Sequence, residues 1–312
     1  MKIIFMGTPE FAIPSLGEIY KKGWDIISVV TQPDRPKGRG MHSLPSPVKE
    51  FALKHGIKIL EPLKVRDKEF INLLKDLGPD IIVVVAYGKI LPKEILEIPP
   101  LGCVNLHASL LPKYRGAAPI NWTIINGEKE TGVTTQMIAE KMDAGNILLQ
   151  ERMKILESDT AGTLHDKLKV IGAFLLINTL EGLKEKSLKP IVQDESKATY
   201  APILKKEDGL IDWIKKADSI INLIRGTNPW PSAYTFLSGK LFKIWKASLT
   251  GLDTGKEPGS IIKEGDKLFV QTGDRVISLE EVQMENHKRM PVKNFLMGRD
   301  VPPSFDLTKK IL

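Results

Sequence analysis

At 312 residues with 42% hydrophobic residues, the chain exceeds the usual size of a single core and has apolar material for two. A single cysteine excludes an intramolecular disulfide and a cysteine metal cluster, and makes the cytoplasm the expected compartment. The net charge of +7 suggests a polyanionic partner, yet neither half of the chain is a basic domain, so a nucleic-acid footprint must rest on local patches.

The opening Met1-Lys2-Ile3-Ile4-Phe5-Met6-Gly7 reads as a first strand rather than a signal peptide. No apolar run reaches the roughly 18 residues of a membrane span, so no membrane partner is expected. The loop after it, Gly7-Thr8-Pro9-Glu10, lacks the spacing that brings backbone against a pyrophosphate, which disfavours a nicotinamide dehydrogenase. No phosphate-cradling Gly-Lys-Ser/Thr loop follows, which disfavours nucleotide hydrolysis. Short β-branched runs at 3–6, 26–30, 58–60, 81–86 and 103–106 alternate with amphipathic segments at 47–55 and 67–77. That pattern predicts an α/β fold: a doubly wound, Rossmann-like N-terminal domain around a mostly parallel sheet covered on both faces. Between the second strand and the first of those helices, a proline- and glycine-rich loop carries Arg35, Lys37 and Arg39.

Further strands are expected near 131–138 and 147–153, then a long helix over 160–183. Residues 184–207 lose periodicity and read as a linker. A helix over 211–226 should precede Asn228-Pro229-Trp230-Pro231. Five short strands at 233–237, 240–247, 259–263, 268–272 and 276–282 then suit a small OB-like β-barrel. The expected division is a catalytic domain over 1–184, a linker over 185–207 and a C-terminal domain over 208–312.

Chemistry concentrates after the strand at 103–106. Asn105 and His107 lie two residues apart, so strand alternation puts both side chains on one side of the pleat. An amide and a protonated imidazole aimed at one point are equipped to stabilise a carbonyl oxygen that becomes an oxyanion in acyl transfer. Asp143 supplies a carboxylate to orient and charge the imidazole if the fold brings it near. Cys103 invites a nucleophile reading, but a lone cysteine in an apolar strand is a small buried hydrophobe more often than a reactive thiol. His42, His55, His107, His165 and His287 are scattered without ligand spacing, and no metal is expected.

Asn105-Leu106-His107, Ser109-Leu110-Leu111-Pro112, Arg115-Gly116, Thr131-Gly132-Val133-Thr134 and Asp143-Ala144-Gly145 resemble the folate-dependent formyltransferase family. The likeness extends to Gly7-Thr8-Pro9-Glu10-Phe11, Gln32-Pro33-Asp34-Arg35-Pro36, Asn228-Pro229-Trp230-Pro231 and Lys243-Ile244-Trp245-Lys246-Ala247, so it covers nearly the whole chain. It implies 10-formyltetrahydrofolate as donor and the α-amino group of methionine esterified to initiator tRNA as acceptor, in a monomeric enzyme. By the same resemblance Ser109, Leu110, Leu111 and Pro112 line the folate site from one side. Lys89, Ile90 and Leu91 then meet the pterin, largely through backbone groups. Resemblance assigns acceptor-stem contact to the loop of Arg35, Lys37 and Arg39, with Arg39 leading. Lys205, Lys206, Lys240, Lys243 and Lys246 are further candidates for phosphate contact. Members of the family often carry more basic residues just after Gly40, where this chain has Met41 and His42. Two alternatives stay open: a formyltransferase acting on a nucleotide sugar or other small amine, and a noncatalytic tRNA-binding protein. The first needs the triad but not the Arg39 loop; the second needs the barrel but not the triad.

Overall fold

The computed structural model describes residues 1–37 and 42–306. Two compact units divide them: Met1–Pro119, Glu130–Lys154 and His165–Pro202 form the first. Ile120–Lys129, Ile155–Leu164 and the chain from Ile203 onward form the second.

In chain order the elements up to residue 202 are β1 (Lys2–Gly7), α1 (Ile13–Lys21), β2 (Asp25–Val30), β3 (Arg35–Lys37), β4 (His42–Leu44), α2 (Pro47–Lys54) and β5 (Ile59–Leu60). After these come α3 (Lys68–Leu77), β6 (Ile81–Val85), α4 (Lys93–Leu96), β7 (Cys103–His107), β8 (Arg115–Gly116), α5 (Pro119–Ile125), β9 (Glu130–Met137), β10 (Ile147–Lys154), α6 (Ala161–Lys184) and β11 (Tyr200–Ala201). The main sheet runs β10-β9-β7-β6-β1-β2-β5. Five strands, β5 through β7, are parallel, and β9 turns the direction by pairing antiparallel with both β7 and β10. The mostly parallel sheet expected from the β-branched runs is therefore present.

The inner parallel strands are largely apolar because helices cover both faces; β6 is buried at all five positions. α3 shows why the chain turns helical here. Asp67 caps its start by accepting from the Glu69 backbone N–H at 3.1 Å, and Gly78 closes it in the left-handed region. Between these stops Phe70, Ile71 and Leu74 fall on one stripe and pack with Ile4, Met6, Ile82, Val84 and Cys103 of the sheet. Cys103, Asn105 and His107 alternate on β7, so one face of this strand begins apolar and turns polar toward its carboxyl end. The stretch 185–202, whose composition reads as a linker, belongs to the first unit. Ile191 exchanges two backbone hydrogen bonds with Ile147 at 2.8 Å, and β11 pairs with β8.

The second unit contains α7 (Ala217–Gly226), β12 (Ala233–Leu237), β13 (Lys240–Leu249), β14 (Ile261–Glu264), β15 (Lys267–Gln271), β16 (Val276–Met284), β17 (Met290–Pro291) and α8 (Val292–Leu296). The helix expected from 211 begins only at Ala217. Upstream, the Ile211 N–H donates to Tyr234 O at 2.8 Å and the Asp212 carboxylate takes the Ile214 N–H at 3.1 Å, a local turn that competes with helix. The strands run β12-β13-β16-β15-β14 with β17 on β16, an antiparallel sheet separate from the first. An OB-like barrel would close this path on itself. Among the described residues no strand pairing joins β12 to β14. Instead Pro303 O accepts from Ile261 N–H at 2.7 Å, and the Asp306 N–H donates to Phe236 O at 2.9 Å. Pro302 and Pro303 lack the N–H groups that a regular ladder there would need.

A core of Trp213, Ile220, Ile224, Phe242, Ile244, Val282, Phe295 and Phe305 fills this unit. Phe242 is fully buried, with ring centroids 5.2 Å from Phe295 and 5.4 Å from Phe305. Phe242→Ala should cost about 3–5 kcal/mol of stability through lost burial and an incompletely collapsed cavity. Urea denaturation measures this, and a loss below about 1 kcal/mol would show that the cluster does not hold the unit.

Candidate active site

Three segments of the first unit meet at the carboxyl end of the parallel sheet, where ligands of open α/β sheets sit. They are the end of β7, the loop that follows it, and the loop between β9 and β10. The β9 strand does the folding work. By pairing antiparallel with β7 it sets Asn105 opposite Gln136 and His107 opposite Thr134, and its far end leads into the loop carrying Asp143.

His107 is 6% exposed. Its Nε2 lies 2.9 Å from Tyr114 O; a carbonyl oxygen only accepts, so Nε2 carries the hydrogen. Nδ1 faces Asp143 Oδ2 at 3.7 Å. Asp143 is held on both oxygens: Oδ2 accepts from the Gly116 backbone N–H at 2.9 Å, and Oδ1 from the Gln136 amide at 3.0 Å. Its backbone adopts φ +50°, the left-handed region that non-glycine residues rarely occupy. Gly145, two residues on, has no room for a side chain, since an added Cβ would fall 1.7 Å from Met137 O. Asn105 is half-buried, and among the described residues its amide makes no hydrogen bond. The structure thus brings Asn105, His107 and Asp143 together, but with unequal freedom. Asn105 is the uncommitted donor, whereas both imidazole nitrogens already face acceptors.

The loop after β7 is fixed from below. Thr134 donates to Ser109 O at 2.6 Å and accepts from the Leu111 N–H at 3.1 Å; Ser109 donates to Lys113 O at 2.6 Å. Ser109 and Leu111 are buried and Leu110 and Pro112 half-buried, so the loop is rigid and its outer surface is largely Leu110 and Pro112. Lys89, Ile90 and Leu91 follow β6, the neighbour of β7. Lys89 and Ile90 are exposed, and Ile90 and Leu91 help line a pocket of about 330 Å³ with Arg66, Ile71, Lys93 and Glu140. Cys103 is buried and its thiol is pushed up to about 12 by burial, which removes it from nucleophilic chemistry.

A second layer was invisible in the sequence. The Arg115 guanidinium is 1% exposed and donates to Gln193 Oε1 at 3.1 and 2.8 Å and to Glu195 at 2.7 Å. Lys141 reaches the other Glu195 oxygen at 2.5 Å. These two cations, Arg115 foremost, hold the Glu195 carboxyl down at about 2. Arg115 and Gly116 stand out as a motif, but Gln193 and Glu195 lie in an aperiodic stretch that gives no signal.

Among the nucleic-acid candidates, Arg39 lies outside the described residues, and Arg35 and Lys37 belong to β3, which pairs with β4. Lys205, Lys206 and Lys240 are exposed. Lys243 sits 5.6 Å from the Trp245 ring centroid. Lys246 is paired with Glu280 at 2.7 Å; a bulge in β13 at this point turns it outward. These residues lie on different segments: β3, the turn at 206–209 and β13. Among the described residues no group of potential metal ligands occurs and no helix is long and apolar enough to cross a membrane.

The family model described as formyl transferase matches residues 1–180, and that described as formyl transferase, C-terminal domain, matches residues 203–300. A solved structure of the N-formyltransferase from Helicobacter canadensis, in complex with folinic acid and dTDP-3-aminofucose, shares the fold. Its TM-score is 0.66 at 21% identity, over 89% of this chain and 99% of that one. Fold and sequence together define a formyltransferase. Methionyl-tRNA formyltransferase of Caldanaerobacter subterraneus subsp. tengcongensis is 52% identical over 97% of this chain and 98% of its own. That of Ruminiclostridium cellulolyticum is 48% identical over 99% and 100%. The chain belongs to the methionyl-tRNA formyltransferase family.

The Glu195 carboxyl sits far below the ordinary glutamate value of about 4.3. Its ion pairs therefore stabilise the fold fully above that ordinary value and lose this contribution as pH falls through about 2. Against Glu195→Gln, the advantage in Tm should be constant at neutral pH and shrink below about pH 4. Calorimetry across that range tests it; an advantage unchanged down to pH 2 would contradict it.

Proposed function

We propose that this protein transfers a formyl group to the α-amino group of methionine carried by initiator tRNA, giving formylmethionyl-tRNA for translation initiation. The observation that carries this is about half identity to methionyl-tRNA formyltransferases over nearly the full length of both chains. A nucleotide-sugar enzyme is less well supported, because the sugar N-formyltransferase likeness, at 21% identity, extends to the fold alone. When bound, 10-formyltetrahydrofolate would supply the formyl group; as the bond from the formyl carbon to the amine forms, its bond to the folate N10 breaks, and N10 leaves with a proton in place of the one that the amine gives up. Ile71, Ile90 and Leu91 offer such a ligand an apolar wall, and the charged groups beside them are the cations Arg66 and Lys93 and the carboxylates Glu94 and Glu140. The hydrogen-bonded loop of Ser109, Leu110, Leu111 and Pro112 lines the folate from one side.

An α-amino group with a pKa near 7.7 to 8.0 has a neutral fraction at physiological pH, so the protein's main task is electrostatic. Asn105, whose amide is uncommitted, donates to the formyl oxygen. His107 Nε2–H, now on Tyr114 O, turns to the same oxygen as negative charge builds there, because an oxyanion is a stronger acceptor than an amide carbonyl. Asp143 orients the imidazole and supplies the negative charge toward which the amine proton moves. The loop of Arg35, Lys37 and Arg39 takes the acceptor end of the tRNA. Lys205, Lys206, Lys240, Lys243 and Lys246 contribute phosphate contacts, the last three from β13 of the C-terminal sheet.

Formyl transfer to charged initiator tRNA, with charged elongator tRNA and free methionine as controls, tests the whole reading. Asn105→Ala, His107→Ala and Asp143→Ala should each lower turnover on the order of a hundredfold or more with tRNA binding near wild type. Normal turnover in all three would remove the active-site assignment.

The nucleic-acid part is tested separately. Phosphate contacts release counterions, so tRNA affinity should fall steeply with added salt while folate affinity changes little. Because lysine cannot match a bidentate guanidinium fork, Arg39→Lys should already reduce kcat/KM for charged tRNA, and Arg39→Leu should reduce it further. Unchanged efficiency in Arg39→Leu would reduce this loop to a solvated segment and revive the small-amine alternative.

A further inference from the structure

We propose that Gln193 is a positioning residue for Asp143, fixing the loop of that carboxylate through its main chain; the inference rests on the catalytic role given to Asp143 above. The Gln193 Nε2 donates to Asp143 O at 2.8 Å and to Gly145 O at 2.7 Å, and lies 3.2 Å from Gln136 Oε1. It therefore grips the loop on both sides of Ala144, while Gln136, which it also contacts, holds the Asp143 side chain. The side chain is 6% exposed, so water does not compete for these contacts.

The amide can be read in one orientation only. Its other end faces the Arg115 Nε and Nη2 at 3.1 and 2.8 Å, and a guanidinium only donates. Oxygen must lie toward Arg115, which leaves the NH2 toward the loop carbonyls. Arg115 is in turn tied to Glu195, and Glu195 to Lys141, two residues before Asp143. The contacts run from Lys141 through Glu195, Arg115 and Gln193 back to the main chain of Asp143 and Gly145.

Such bracing has a reason. Asp143 sits at φ +50°, a conformation unfavourable for a residue with a side chain and kept where surrounding contacts over-determine it. The carboxylate must also face His107, whose Nδ1 is 3.7 Å away. A relaxed loop would swing Oδ2 off the imidazole, and a misplacement of about 1 Å costs on the order of a hundredfold in rate.

The test is a double-mutant cycle in the full-length protein, with kcat and the KM for both substrates measured. Gln193→Leu should lower kcat by roughly ten- to a hundredfold with both KM values close to wild type. Added to Asp143→Ala, it should lower kcat little further, because the residue acts through a carboxylate already gone. Gln193→Glu keeps the size and the Arg115 contact but turns an acceptor onto two carbonyls, and should be at least as slow; it is read alone if Gln193→Leu does not fold. A folded Gln193→Leu or Gln193→Glu with wild-type kcat overturns the proposal. So does an equal loss in the Asp143→Ala background, which would mark a merely structural residue. Full turnover in Asp143→Ala alone would instead overturn the role of Asp143 and, with it, this inference.

Discussion

One half-buried carboxylate governs the geometry of the proposed reaction centre. Asp143 accepts from a backbone N–H of the β8 segment and from the amide of Gln136 on β9, and both bonds are near 3 Å. Charge-assisted hydrogen bonds of this kind are stronger than neutral ones and directional. Together they take the rotational freedom out of the side chain, so that the oxygen facing His107 is chosen by the fold rather than by the imidazole. With the Gln193 contacts to the loop carbonyls, they hold the left-handed backbone at this position.

The sheet supplies the frame for that arrangement. Parallel β6 and β7 end side by side, and the antiparallel β9 lies next to β7, so residues from opposite chain directions meet in register. Gly116 serves the same end: it sits at φ +122°, and an added Cβ would fall 2.6 Å from Ala201 O of β11. Its N–H can reach Asp143 because the β8 backbone lies this close to β11. Packing of two short strands thereby fixes a hydrogen bond to a carboxylate about thirty residues downstream.

Features with a local period were legible in the sequence. The parallel strands announce themselves as β-branched runs, α3 by its stripe between Asp67 and Gly78, and the pairing of Asn105 with His107 by strand alternation. The motifs carried Asp143 and the family. What the sequence hid depends on long-range contact. Gln193 and Glu195 lie in a polar stretch with no period, and their roles exist only because Ile191 pairs with Ile147 and carries them alongside Arg115. The helix expected from 211 was shortened by a turn at Asp212, whose carboxylate competes locally for a backbone N–H. Lys246 shares strand parity with the buried Phe242 and Ile244, and only the bulge in β13 turns it outward. Likewise five of the six strands of the C-terminal sheet could be read, but not the short β17 or how the edges meet, which depends on a proline-bearing segment some forty residues from β14.

In the proposed mechanism Asp143 acts through its charge and placement, not merely its bulk. Asp143→Asn keeps the size and one accepting oxygen while removing the charge, so the single-turnover rate of formyl transfer to charged initiator tRNA isolates the carboxylate. That rate should fall on the order of a hundredfold or more, with binding of formyl-folate and tRNA retained. Transfer by Asp143→Asn at the wild-type rate would contradict it.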